Sequence, residues 1–134
     1  MIELSSRTND IALICDESAV WSILVKGENL ALSLGDHGVL LSLLPFLEIG
    51  KVDLLRKIHD PDAEYSFPEL VFIEAGLRHS SDYWVSCALG WLKDCSVGDV
   101  KKFNSYLFDI SGNKEKYKQS VRHQAKSLLK LAAT

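Results

Sequence analysis

"ESAVWSILVKG", residues 17–27, decides the fold class, because it supports two readings. As a helix it is a short apolar rod ended by Gly27. As a strand it is an extended run of Val, Ile and Trp, types that suit a pleated surface. Its neighbours "IALIC" (11–15) and "LALSL" (30–34) are apolar runs with the same ambiguity. No Asn-Gly or Asp-Gly pair, the strongest short hairpin signal, lies between them. On that ground the three runs are assigned to helices.

Further along, the helical signals are stronger. Asp36 can cap "HGVLLSLLPFL" (37–47), which Pro45 is expected to kink or end. "KVDLLRKI" (51–58) gives a short helix, and "HDPDAEYSF" (59–67) is the clearest loop. Ser66 and Glu69 form an S-x-x-E box ahead of a helix in which Leu70, Ile73 and Leu77 share a face. Ser80 or Ser81 caps a helix through "DYWVSCALGWL" (82–92), apolar on most sides and therefore expected to be buried on most sides. Gly76 and Gly90 fall inside these two helices, which suggests close helix-to-helix approach. Ser96 and Asp99 start the next, with Val100, Phe103, Leu107 and Ile110 on one face, stopped by Gly112. Asn113 then caps a last helix carrying Tyr117, Val121, Ala125, Leu128 and Ala132. The fold expected is all-α: a single domain over residues 1–134, built as a compact bundle or a stack of antiparallel helical hairpins.

A chain of 134 residues can bury enough surface to fold without a disulfide or a metal. Its three cysteines, Cys15, Cys87 and Cys95, are odd in number and widely spaced, as in a reducing compartment. The first residues, "MIELSSRTNDIALIC", have no basic n-region, and the longest apolar run, "VLLSLLPFLEI" (39–49), is too short to span a bilayer. A cytoplasmic protein is expected.

Enzymatic signatures are missing. There is no G-x-S-x-G, no phosphate-cradling glycine loop and no C-x-x-C or H-x-x-x-H pair. On a helix, Cys87 and Cys95 would stand about 12 Å apart, too far to share a zinc ion or a disulfide. His37, His59, His79 and His123 are scattered. No catalytic residue, cofactor or metal is expected.

Charge is informative. The net charge is −3, yet residues 1–99 carry 16 acidic and 7 basic residues, and residues 100–134 carry 2 and 8. Asp60, Asp62 and Glu64 alternate in the clearest loop and are followed by Tyr65; Asp82 and Tyr83 open a later helix. Carboxylates beside tyrosine suit an interface with a basic protein. These six are the candidate partner-binding residues. A second stripe, Lys114, Lys118, Arg122, Lys126 and Lys130, recurs at spacing four and could meet nucleic-acid phosphates.

"LVFIEAGLRHSSDYWVSCALGWLKD", residues 70–94, resembles small helical immunity proteins of bacterial contact-dependent growth inhibition and related polymorphic toxin systems. The likeness is carried by Ser80, Ser81, Tyr83, Trp84, Trp91 and Leu92, and covers under a fifth of the chain. It implies a small cytoplasmic protein that binds a cognate toxin domain, often a basic nuclease, and covers its active-site cleft. The alternative function is that of a nucleic-acid-associated or regulatory helical protein using its basic last helix.

Overall fold

The computed structural model describes residues 1–6 and 10–133. These divide into two compact units, Met1–Ala75 and Gly76–Thr134.

The first unit overturns the all-α expectation. It opens with a four-stranded antiparallel sheet, β1 (Ile2–Ser5), β2 (Ile11–Cys15), β3 (Trp21–Val25) and β4 (Glu28–Ala31), in sequence order. Chain reversal between β3 and β4 takes two residues, Lys26 at φ 50° and Gly27 at φ 82°. Positive φ at both central positions is the twist a two-residue hairpin requires. Gly27 adopts it at no steric cost, so the glycine that resembled a helix stop is a hairpin residue. The β2–β3 connection is held by Asp16, whose carboxylate accepts from Ser18 N–H (2.8 Å) and Val20 N–H (3.0 Å). Such side-chain turns mimic a backbone turn without Asn-Gly or Asp-Gly.

Register explains the buried face. Leu4, Leu13, Ile23 and Leu30 are cross-strand partners in one row, and Ile2, Cys15 and Trp21 in the next. Leu13 and Ile23 are fully buried, each worth about 1.5–3 kcal/mol of hydrophobic stabilisation. Ile14 and Leu24 point to the opposite face and are half-buried. With apolar residues on both faces, the central strands lose the alternation that marks a strand in sequence.

Helices follow in the same unit. α1 (His37–Ile49) is capped by Asp36, which accepts from the N–H groups of Gly38 and Val39. Pro45 does not end it: the helix loses one hydrogen bond and continues to Ile49. Gly50, at φ 98°, separates α1 from α2 (Lys51–Arg56). Residues 61–65, expected as loop, form a short helix, α3 (Pro61–Tyr65), with Pro61 in its first turn and Asp60 as cap. Phe46, Phe67 and Phe72 join Trp21 in an aromatic core; Phe67 meets Trp21 edge-on at 5.3 Å and stacks on Phe72 at 5.5 Å.

α4 (Glu69–Arg78) begins in the first unit and ends in the second. The rest of the second unit is α5 (Asp82–Lys93), α6 (Val97–Lys101), α7 (Asn104–Gly112) and α8 (Gln119–Ala133). α8 packs against α5, α6 and α7. Its buried residues, Val121, Ala125, Leu128 and Ala132, keep the expected helical spacing. Val100, Phe103, Leu107 and Ile110 are buried together as expected, although the helix is broken into α6 and α7 around Lys102 and Phe103. In α5, Val85, Ala88, Leu89, Trp91 and Leu92 are buried.

Candidate functional site

Four of the six candidate residues lie on one short element. Asp60 caps α3, its carboxylate accepting from Asp62 N–H at 2.9 Å. Asp62 and Glu64 follow in the first turn, where negative charge is favoured. Both carboxylate-bearing residues are exposed, and Tyr65 is 94% exposed. Ala63 is the buried side of the helix.

Trp21 holds α3 in place. Its indole N–H is shared between the Ala63 carbonyl (3.3 Å) and Ser66 Oγ (3.1 Å), and Ser66 in turn donates to the Ala63 carbonyl. Ser66 thus serves α3 and the sheet rather than the start of α4. The same anchoring sets the start of β3 beside α3, next to the β2–β3 turn. Cys15 reports this proximity: burial pushes its thiol up, and the carboxylates of Asp16 and Asp60 push it further.

Asp16 and Asp60 are therefore both close to Cys15, and Glu17, Asp62 and Glu64, their near neighbours in sequence, are exposed acidic residues of the same unit. Among the described residues, none of these five is in an ion pair. Val20, in the same turn, is 57% exposed. Exposed apolar groups set among unpaired carboxylates have the composition of an interface rim and its anchors. Sequence reading missed Asp16, Glu17 and Val20, because they reach this surface only through the hairpin. The available signal was Asp16 itself, a turn-forming residue between two apolar runs.

Asp82 and Tyr83 belong to the second unit. Asp82 Oδ1 accepts from the N–H of Lys118 at 3.1 Å, just before α8, so it acts as a cap supplied by α5. Tyr83 is 53% exposed and meets Trp84 edge-on at 5.0 Å. Together with Ser86, Lys118, Ser120 and Val121 they line a shallow cleft of about 230 Å³. Ser86 is tied to Gln124 of α8 by a 3.0 Å hydrogen bond.

The remaining chemistry-bearing residues are placed as follows. His79 closes the α4–α5 turn, its Nδ1 accepting from Ser81 N–H at 3.1 Å. Cys87 and Cys95 are half-buried and form no disulfide, and Cys95 Sγ donates to the Trp91 carbonyl. Lys114, Lys118, Lys126 and Lys130 are exposed, whereas Arg122 is half-buried with Nε donating to the Tyr117 carbonyl. None of the helices is long and apolar enough to cross a membrane among the described residues.

Charge divides along the structural boundary. Residues 1–75 hold 13 acidic and 5 basic residues, a net −8; residues 76–134 hold 5 and 10, a net +5. No family model, curated protein or solved structure matches the chain.

Proposed function

We propose that this chain is an immunity-type protein that binds a basic bacterial toxin domain, a nuclease, through the acidic surface of its first unit. The observation that carries this reading is the exposed carboxylate group on α3 and the β2–β3 turn, without an ion pair among the described residues, with Tyr65 protruding from α3. A nuclease cleft is cationic because its substrate is a polyphosphate. Carboxylates held on a short, anchored helix present the same charge without a scissile bond. Complementary potential speeds encounter, and one or two desolvated side chains then slow release. Tyr65 and Val20 are the anchors in this scheme, and Asp60, Asp62 and Glu64 the steering groups.

The mechanism is occlusion and needs no chemistry by the chain itself. It also assigns the partner-binding role to the first unit, leaving Asp82 to the stability of the second. A nucleic-acid-associated role for the α8 stripe is the competing reading, favoured by its exposed lysines. A gel-shift titration separates the two: under the competing reading duplex DNA is bound with a steep negative salt slope.

The direct test is protection. A candidate basic nuclease toxin domain, sought in the reading frames adjacent to this gene, is expressed in cells with the chain or with its Asp60→Ser, Asp62→Ser, Glu64→Ser variant. The wild type is expected to restore growth and the variant to fail while remaining folded. No protection by the wild type overturns the immunity reading; full protection by the variant overturns the acidic surface.

A further inference from the structure

Gly90 lies near the end of α5, where glycine costs about 1 kcal/mol relative to alanine. Two reasons usually justify such a residue, and neither holds here. Its φ is not positive, so the backbone does not demand glycine. A Cβ built on it meets nothing within 4 Å, so the close helix approach expected from the sequence is not made.

The vacant space belongs to a groove of about 300 Å³ between α5 and α8. Leu89, Gly90 and Lys93 line it from α5, and Gln124, Leu128 and Leu131 from α8. Leu131 is 45% exposed. One end is fixed by the Ser86–Gln124 hydrogen bond. The lining is mostly apolar, with Gln124 and Ser127 as neutral polar groups, and among the described residues the only charged side chain lining it is Lys93. Lys130 stands exposed three residues on from Ser127, on the outer flank of the groove. The unit that carries the groove has a net charge of +5.

We propose that this groove receives an amphipathic helix of an acidic protein partner. An apolar side chain of that helix sits over Gly90 against Leu128 and Leu131, and its carboxylates meet Lys93 and Lys130. A trough between two helices takes a third helix by its apolar face, and rim charge sets the sign of the partner. The site is on the second unit and does not depend on the toxin-binding role of the first.

The probe is a fluorescein-labelled synthetic helix with leucines on one face and glutamates on the other, read by anisotropy at low and at physiological salt. Controls are the same leucine pattern with lysines for glutamates, and a short DNA duplex. Gly90→Leu fills the groove while improving helix propensity. Lys93→Glu with Lys130→Glu reverses the rim. Far-UV circular dichroism and Tm establish that both variants fold. The acidic helix is expected to bind, to be weakened about tenfold or more by Gly90→Leu, and to be lost with the reversed rim, which instead takes the lysine helix. Absence of binding by the acidic helix overturns the proposal. So does equal binding of the lysine helix by the wild type, or unchanged binding by both variants. Binding of the duplex alone assigns the surface to phosphates and overturns it too.

Discussion

Cys15 lies beside the candidate surface, and burial is the first cause of its raised thiol pKa, with Asp16 and Asp60 next. A raised pKa leaves less thiolate at neutral pH, and the thiolate is the reactive form. Cys15 should therefore resist a thiol reagent near pH 7 and react only as pH rises above the ordinary thiol range. Asp60→Asn removes a nearby negative charge, so the reaction midpoint should move to lower pH; an unmoved midpoint would place Asp60 away from Cys15. Asp82 is a second residue whose role the sequence obscured. As an acidic neighbour of Tyr83 it resembled an interface residue, but its carboxylate serves Lys118 N–H. Asp82→Ala should cost about 1 kcal/mol by loss of a cap, read as a lower urea midpoint, with toxin affinity unchanged. By contrast, Asp60, Asp62, Glu64 and Tyr65 were legible from sequence as exposed, because nothing in that short polar run could bury them.

At the scale of elements, most helices were readable in both units and the sheet of the first was not. α5 and α8 announce themselves by apolar spacing and α6 by the Ser96 cap, whereas Ser81 makes no side-chain cap bond and the start of α8 is served by Asp82 rather than Asn113. The sheet hides because β2 and β3 are apolar on both faces and because their turns use Lys26–Gly27 and Asp16 instead of the usual pairs. Lys26 at φ 50° pays a conformational cost that asparagine tolerates better. Lys26→Asn should raise stability by a few tenths of a kcal/mol to about 1 kcal/mol, whereas Gly27→Ala should lower it by about 1 kcal/mol. Equal effects of the two would mean the chain does not turn there. α3 depends on Trp21 in the same way. Trp21→Phe keeps much of the apolar burial but removes the indole donor to Ala63 and Ser66. It should cost about 1–3 kcal/mol in thermal unfolding and loosen α3, seen as faster amide exchange at residues 62–66.

On the scale of the whole molecule, the charge asymmetry noticed in the sequence follows the division into two compact units, −8 and +5. Each unit thereby carries its own field, and the two are suited to partners of opposite sign. The acidic unit holds a surface made by two elements far apart in sequence, the β2–β3 turn and α3, joined by one tryptophan. The central claim is that this surface binds a cationic toxin domain. It is tested most directly by calorimetric titration of that domain with the wild type and with the Asp60→Ser, Asp62→Ser, Glu64→Ser variant, at low and at high salt. The account expects the variant to bind about a hundredfold more weakly at low salt, roughly 2.7 kcal/mol, with the difference shrinking as salt rises. Equal affinities at low salt would contradict it.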